Sequence, residues 1–239
     1  MKALLLNSGI GSRIAHITKD KPKCLIEFRL DTAIIDQQMH YILQSGINEC
    51  IITTGLFAEK IQEHIRQKFP QMKVLYVHNP FYRTTNYIYS LYLARKFIDD
   101  DIVLIHGDLV FEEEVLARLL KDPAPDTVAL DTSVPLPEKD FKGRIEQGRV
   151  TEIGINTFGP DCHFVAPIYK LSKDTFLRWL SSIEQFILEG NNKVHAENAL
   201  NKIAHSLQIK PVLINGLFCS EIDNQADMDL VRAYWQDKA

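Results

Sequence analysis

The feature that most constrains the fold is an apolar run near the start of the chain that ends abruptly in small residues. Ala3 to Leu6 form a short continuous apolar segment, which is typical of a strand covered on both faces of a sheet. Gly9 and Gly11 follow among other small side chains, where the backbone can turn its N–H groups toward an anion. A buried strand that leads into such a loop predicts a phosphate-binding turn.

Two basic residues strengthen this interpretation. Arg13 directly follows the loop, and Lys23 lies beside Pro22, whose ring restricts the backbone next to the lysine. The spacing excludes two common motifs, because Ile14 stands where a dinucleotide fingerprint needs its third glycine and no Gly-Lys-Ser/Thr follows as in a P-loop. An ordinary tight turn between strand and helix remains the alternative on the turn chemistry alone.

The chain that follows alternates between strand and helix patterns. Strand-like segments at Glu49–Thr54 and Lys73–Val77 are separated by an amphipathic helical pattern over Ala58–Phe69. This rhythm predicts an α/β fold, a Rossmann-like three-layer αβα arrangement with a mostly parallel sheet. From Pro135 the pattern changes to polar turns and further strands, which predicts a β-rich insertion over one side of the cleft. That residues 135–159 act as a lid is a hypothesis.

Composition excludes several classes of protein. The formal net charge of −4 argues against a general nucleic-acid binder. The four cysteines are scattered without metal-ligand spacing and predict free thiols in a reducing compartment. No apolar run approaches the ~20 residues of a membrane span, and the chain enters a strand at once. We therefore expect a cytoplasmic protein with a single domain over residues 1–239.

One aspartate is a candidate metal ligand from its position alone. Asp108 follows the apolar strand Ile102–Ile105, at the carboxyl end where open α/β sheets bind ligands. Its carboxylate oxygens are hard ligands that suit Mg²⁺, although a turn or helix-capping aspartate explains it equally well. Asp223 precedes a final helix predicted from about Gln225 to Trp235 and, taken alone, is an ordinary helix-capping aspartate.

The opening motifs resemble those of the nucleotidyltransferases that make NDP-sugars and CDP-alcohols. In that family L-A-A-G-x-G-x-R is followed by P-K-x-L, and this chain has N-S-G-I-G-S-R and P-K-C-L. The resemblance implies catalytic roles for Arg13 and Lys23. It also implies that the nucleotide is bound by Asn7, Ser8, Gly9, Gly11 and Ser12, although the first two replace the usual alanines.

The metal motif extends the resemblance. Asp108 matches the last residue of the family's Asp-Gly-Asp, with His106 at its first position and left unassigned. Asp223 matches the first aspartate of a closing Glu-Ile-Asp-Thr, which is the second metal ligand in the family. The resemblance therefore implies a Mg²⁺ site formed by these two aspartates.

A helix is predicted with Thr85 or Asn86 as its N-cap. The start of this helix and a later segment resemble phosphocholine cytidylyltransferases. Asn86 and Ser90 match an Asn-Asn-Ile-x-Ser-Leu segment of those enzymes and would face the nucleotide. Glu197, in Glu-Asn-Ala-Leu, matches a Glu-Asp-Ala-Leu element whose carboxylate faces a cationic acceptor. Tyr87, by its helical spacing, is predicted to be an ordinary packing residue.

The resemblance implies Mg²⁺-dependent transfer of a nucleotidyl group. CTP is the expected donor, and phosphocholine or another small phosphorylated or phosphonate metabolite is the expected acceptor. The products would be pyrophosphate and a CDP-activated compound for a surface glycan or lipid. A sugar-1-phosphate nucleotidyltransferase using UTP or dTTP is the alternative, and a non-catalytic nucleotide-binding protein is a third. The nucleotide-binding half is expected at about residues 1–131 and the acceptor-side half at about 132–239, and the sequence leaves open whether the chain forms a homo-oligomer.

Overall fold

The structure, a computed structural model, describes residues 1–14 and 18–236, and the side chain of Ser12 lies outside the described part. The strands are β1 Lys2–Asn7, β2 Glu27–Arg29, β3 Thr32–Ala33, β4 Glu49–Thr54, β5 Lys73–His78, β6 Ile102–His106, β7 Leu109–Phe111, β8 Thr127–Asp131, β9 Lys142–Glu146, β10 Arg149–Gly154, β11 Cys162–Leu171, β12 Lys210–Leu213 and β13 Cys219–Glu221. The α-helices within these residues are α1 Ile34–Gln44, α2 Ala58–Lys68, α3 Tyr87–Ala94, α4 Glu113–Lys121, α5 Lys173–Leu188, α6 Ala196–Ile203 and α7 Gln225–Gln236. None of these helices is both long and apolar enough to cross a bilayer.

The main sheet has a parallel half and an antiparallel half that meet at β6. Strands β6, β1, β4 and β5 lie side by side and run parallel. On the other side of β6, β11 runs antiparallel to it and also pairs with β9 and β8. The predicted α/β fold with a β-rich insertion is confirmed.

The parallel strands end at the same edge of the sheet. β1 ends at Asn7 and β4 at Thr54, and these two residues are register partners. β6 ends at His106, which is paired with Leu6 of β1. The loops that follow these strands therefore meet at one edge, where ligands bind in open α/β sheets.

The core lies on both faces of this sheet. Ala3 and Leu5 of β1 belong to one buried cluster, together with side chains of α1, α2 and α4. Leu4 and Leu6 belong to the opposite cluster, together with side chains of α3, α5 and α6. Successive side chains of a strand point to opposite faces, so an uninterrupted apolar run is what a doubly covered strand requires.

The insertion contains one strand that the sequence did not predict. The polar run before Arg144 was expected to form turns, but β9 begins at Lys142 and pairs with both β10 and β11. Gly143 lies in this strand, where an added Cβ would come within 2.7 Å of a Val165 methyl group. Close packing against β11 therefore explains a strand whose polar composition does not suggest one.

Candidate functional site

A cavity of about 440 Å³ opens at the carboxyl edge of the parallel strands. The residues that line it, here called the wall, come from the loops after β1, β5 and β6 and from the segments before β9, α6 and α7. Eight of the residues predicted from the sequence lie on the wall, namely Ser8, Gly9, Gly11, Arg13, Lys23, Asn86, Asp108 and Asp223. The sequence thus located the cavity from motifs that are far apart in the chain.

Two glycines allow the loops to approach each other. Gly11 has a positive φ of 69°, a conformation that residues with a side chain rarely adopt. An added Cβ on Gly107 would lie 1.9 Å from Asn7 Oδ1 and 2.5 Å from Leu6 O. Asn7 is therefore buried against the loop after β6. The sequence predicted that Asn7 binds the nucleotide, but this residue is not on the wall.

One end of the cavity, the charged end, consists of Arg13, Lys23, Asp108, Glu221 and Asp223. Lys23 Nζ lies 2.7 Å from Asp108 Oδ2 and 2.7 Å from Asp223 Oδ1. Arg13 Nη1 lies 2.8 Å from Asp223 Oδ2. Burial works to lower the pKa of Lys23, but the two carboxylates outweigh it and raise that pKa. Lys23 is therefore held as an ammonium group.

A short strand pair brings the second aspartate to the first. β13 pairs antiparallel with β7, which directly follows Asp108 in the chain. Ile222 N donates a hydrogen bond of 3.0 Å to Asp108 O. Asp227 Oδ2 accepts from Asp223 N at 2.8 Å, which fixes the backbone of the second aspartate at the start of α7. These contacts join two residues that are 115 positions apart.

Three carboxylates of the charged end fit a hard divalent cation. Asp108, Glu221 and Asp223 each offer an oxygen, and these atoms lie within 4.8 Å of one another. Asp108 Oδ1 and Glu221 Oε1 are buried without a hydrogen-bond partner among the described residues. A buried acceptor that lacks a donor is costly unless something binds it. The donor set of carboxylate oxygens is the one that Mg²⁺ prefers.

The sequence missed Glu221 as a candidate ligand. Burial and the neighbouring Asp108 and Asp223 raise its pKa well above the usual range, as expected for a carboxyl group crowded by others. A signal was present, because Glu221 lies two residues before Asp223 in a strand-like segment. Alternate residues of a strand point to the same side.

A polar network supports the wall beside the loop after β1. Ser8 Oγ lies 2.7 Å from Ser90 Oγ, and Asn79 Nδ2 donates to Ser90 Oγ at 3.0 Å. Ser90 is fully buried and is not on the wall, so it supports Ser8 and does not reach the cavity. Asn79, which the sequence did not single out, is on the wall.

Asn86 has a structural role besides its place on the wall. Its Oδ1 accepts a hydrogen bond of 2.7 Å from Tyr87 N, so it caps α3 as its residue type favours. Its backbone N–H donates to Asn192 O at 2.8 Å. Asn86 therefore links the start of α3 to the loop that precedes α6.

The other end of the cavity, the aromatic end, consists of Tyr87, His106, Phe141 and His195. Ring centroids in successive pairs are 4.8 Å apart for Tyr87 and His106, 6.0 Å for His106 and Phe141, 5.3 Å for Phe141 and His195, and 5.9 Å for His195 and Tyr87. All four residues are on the wall. The four rings form a closed circuit of contacts, with spacings typical of favourable aromatic pairs.

Glu197 lies behind the aromatic end and not in the cavity. Its exposed fraction is 0%, and it is absent from the wall. Tyr87 OH donates to Glu197 Oε2, and Tyr169 OH donates to Oε1 at 3.0 Å. Burial and the adjacent carboxylate raise the pKa of both tyrosines well above the usual range, which keeps the hydroxyl groups protonated as donors. The structure thus places Glu197, for which a direct contact with the acceptor was predicted, behind the wall with a tyrosine hydroxyl on each carboxylate oxygen.

Comparison with known proteins places this geometry in a family. Residues 2–143 match the Nucleotidyl transferase family model. The CMP-5'-(3-aminopropyl)phosphonate synthase of Streptomyces rubellomurinus is 35% identical over 136 residues, which are 57% of this chain and 21% of that protein. The CTP:phosphoglutamine cytidylyltransferase of Campylobacter jejuni is 24% identical over 139 residues, covering 56% of this chain and 53% of that protein. The chain thus spans about half, or less, of the length of these curated relatives.

A solved structure confirms the fold over almost the whole chain. The inositol-1-phosphate CTP transferase from T. maritima superimposes with a TM-score of 0.78 at 20% sequence identity, covering 96% of this chain and 94% of that one. The family model covers the glycine loop and Lys23, which first suggested a phosphate-binding turn, and also the candidate metal ligand Asp108. The chain therefore belongs to the nucleotidyl transferase family.

Proposed function

We propose that the chain transfers a nucleotidyl group, with CMP from CTP as the preferred donor group, to a small phosphorylated or phosphonate acceptor. The observation that supports this most directly is Lys23, whose ammonium lies 2.7 Å from two carboxylates beneath a glycine loop. Such a constellation binds and neutralises phosphates, which is most of what phosphoryl-type transfer asks of a protein.

The charged end would bind the donor. Gly9 and Gly11 line the cavity, and the backbone N–H groups of such a glycine loop suit a triphosphate. The exposed guanidinium of Arg13 adds positive charge to the same wall. Mg²⁺, held by Asp108 and Asp223 with Glu221 as a third ligand, would supply further neutralisation of the phosphates when bound. Residues 1–131 contribute most of this end, which supports a nucleotide-binding half.

The chemistry needs no catalytic base. A phosphate or phosphonate oxygen of the acceptor attacks the α-phosphorus of CTP, a new P–O bond forms, and the bond to the bridging oxygen breaks as pyrophosphate leaves. The second pKa of a phosphate ester is about 6, so the nucleophile is already ionised at neutral pH. Lys23 would stabilise the negative charge that gathers between donor and acceptor, and the rest is positioning.

The aromatic end would bind the acceptor's head group. Four aromatic rings with the buried Glu197 carboxylate behind them favour a cation, since ring faces attract positive charge and the carboxylate adds to that potential. Two relatives bear the names of a 3-aminopropylphosphonate and a phosphoglutamine, which are phosphorus oxyanions without a sugar. A phosphocholine-like acceptor is likewise a phosphorus oxyanion without a sugar, and its product with CTP would be a CDP-activated compound for surface glycan or lipid synthesis.

Pyrophosphate release with each of the four NTPs would test the proposal. The acceptor panel would contain phosphocholine, 2-aminoethylphosphonate, phosphorylated amino-acid amides and sugar 1-phosphates, with Mg²⁺ present. We expect turnover with CTP and a non-sugar acceptor. Turnover only with UTP or dTTP and a sugar 1-phosphate would overturn the choice of base and acceptor. No turnover with any pair would favour a non-catalytic nucleotide-binding protein.

A further inference from the structure

A fully buried lysine lies in the insertion, away from the charged end. Lys142 is the first residue of β9, and its exposed fraction is 0%. Its Nζ donates to Pro137 O at 2.8 Å and to Glu138 O at 3.3 Å. Burial lowers its pKa, which agrees with a site where carbonyl groups, and not a carboxylate, receive its hydrogen bonds.

The same ammonium group contacts a second loop. Lys142 Nζ lies 4.4 Å from the ring centroid of Phe158, in the turn between β10 and β11. That turn is itself fixed, because Arg144 Nη2 donates to Phe158 O at 3.2 Å and Arg144 Nε donates to Glu152 Oε2 at 3.1 Å. Lys142 therefore joins the segment before β9 to the segment after β10.

Both of these segments reach the cavity. Lys139, Asp140 and Phe141 follow the two carbonyls that Lys142 binds, and all three are on the wall. Ile155, directly after β10, is also on the wall. Phe141 belongs to the aromatic end and contacts both histidine rings there. The ammonium group of Lys142 thus connects two segments that form this part of the wall.

We propose that Lys142 is a positioning residue that fixes the aromatic end of the cavity and thereby sets the affinity for the acceptor. Its role in acceptor affinity rests on the proposed function, whereas its role in holding the loop does not. An ammonium group has three donors, and two of them satisfy carbonyls of a segment that has no regular secondary structure. Removing the ammonium group leaves these two carbonyl groups without a hydrogen-bond donor, which favours opening of the loop.

The test compares Lys142→Met with a matched control, Lys170→Met. Lys170 is also buried, and its Nζ donates to Asp122 O at 2.5 Å, but it is not on the wall. Each substitution keeps the apolar stem. Lys142→Met removes two hydrogen bonds from an ammonium group to carbonyl groups, and Lys170→Met removes one. Hydrogen exchange of the amides in residues 134–141 should be about tenfold faster in Lys142→Met and unchanged in Lys170→Met.

Steady-state kinetics provide the second readout. Lys142→Met should raise the acceptor KM by about tenfold and leave the CTP KM unchanged, since the charged end keeps its contacts. Lys142→Arg, which retains donors for both carbonyls, should recover part of the acceptor affinity. An equal rise of both KM values, or the same kinetic change in Lys170→Met, would overturn the role in acceptor affinity.

The two readouts separate the possible failures. Unchanged exchange over residues 134–141 in Lys142→Met would overturn the loop contact whatever the kinetics show. Absence of turnover in the unsubstituted protein would overturn the proposed function and the acceptor role with it. Exchange needs no substrate, so it would still decide whether Lys142 holds the loop.

Discussion

The charged end and the aromatic end of the cavity place their charges differently. At the charged end, Lys23, Asp108 and Asp223 are themselves on the wall and contact one another there. At the aromatic end, the buried charges Glu197 and Lys142 stand behind the wall. Glu197 accepts a hydrogen bond from Tyr87, which faces the cavity, and Lys142 donates to the segment that precedes Phe141. The first end acts by charge, and the second acts by shape and position.

This difference predicts two kinds of defect. Removing a charge from the charged end withdraws an interaction with the transferring phosphates, so the loss should appear mainly in kcat. Removing a buried charge from behind the aromatic end displaces the surface proposed to bind the acceptor, so the loss should appear mainly in the acceptor KM. Variants at the two ends can therefore be distinguished by kinetics alone.

The largest effect is expected for Asp108→Asn. The amide keeps the shape of the side chain but removes the charge that pairs with Lys23 and would hold Mg²⁺, so kcat should fall on the order of 10³-fold. Turnover and calorimetric titration with Mn²⁺ would both measure the loss. Asp131→Asn is a suitable control, because this buried aspartate accepts hydrogen bonds from Ser133 N and Ser133 Oγ and is not on the wall. Full activity in Asp108→Asn would refute the metal assignment.

Lys23→Met should lower kcat by about 10²-fold, because the ammonium no longer stabilises the phosphates. The same substitution should strengthen Mn²⁺ binding to the nucleotide-free protein, since Lys23 competes for two of the proposed ligands. Electron paramagnetic resonance of free Mn²⁺ would measure that affinity. Weaker metal binding in the variant would show that the ammonium organises the carboxylates and does not compete at them.

Two tyrosines test the aromatic end with one hydrogen bond each. Tyr87 and Tyr169 both donate to Glu197, but only Tyr87 is on the wall. Tyr87→Phe should raise the acceptor KM by about three- to tenfold, whereas Tyr169→Phe should lower the free energy of unfolding by about 1 kcal/mol without changing that KM. The acceptor KM would be measured at saturating CTP, and the free energy of unfolding would be measured by urea unfolding. Equal rises in the acceptor KM would mean that both hydrogen bonds of Glu197 support the acceptor site, and not only the one from Tyr87.

The smallest effect on turnover is expected for a cluster of charged groups around the buried carboxylate of Asp36, away from the cavity. Asp36 accepts hydrogen bonds from Ala33 N at 2.9 Å and Lys68 Nζ at 2.8 Å, and its other oxygen contacts His64 Nε2 at 2.5 Å. Burial works to raise the pKa of Asp36, but His64, Lys68 and the backbone donor outweigh it and lower that pKa.

The contribution of Asp36 to stability should therefore be present above its unfolded pKa of about 3.9 and be lost as the pH falls through the lower folded value. Asp36→Asn should reduce the free energy of unfolding by about 1–2 kcal/mol at pH 7 and by less at pH 3, with turnover unchanged. Urea unfolding at the two pH values would measure this. A difference that does not depend on pH would contradict the ionic account.

The features that are determined by residues close together in the sequence could be predicted from it. The strand before Gly9, the alternation of strands and helices, and the cap at Asn86 all follow from local patterns. Asp108 and Asp223 could be paired only through a resemblance, because the β7–β13 contact that joins them is tertiary. Local pattern alone left each of them as an ordinary turn aspartate.

Buried charges were the least predictable feature. Glu197 lies in the first turn of α6, where an acidic residue is usually explained by the helix dipole and exposed to water. Its burial depends on Tyr169 from β11, which sequence patterning around α6 cannot reveal. Lys142 lies in a polar run that resembles a surface turn, and only the pairing of β9 with β10 and β11 buries it.

The shared strand β6 has a consequence for recombination between relatives. It pairs parallel with β1 and antiparallel with β11, with Ile105 opposite Ile168. A chimaera that imports another relative's insertion must therefore import β11 in the same register. Both faces of β11 are buried, so a slip of one residue would exchange its side chains between the two core clusters. A transfer of acceptor specificity should therefore include the core strand β11, because a graft of the surface loops alone would lack the strand that supports them.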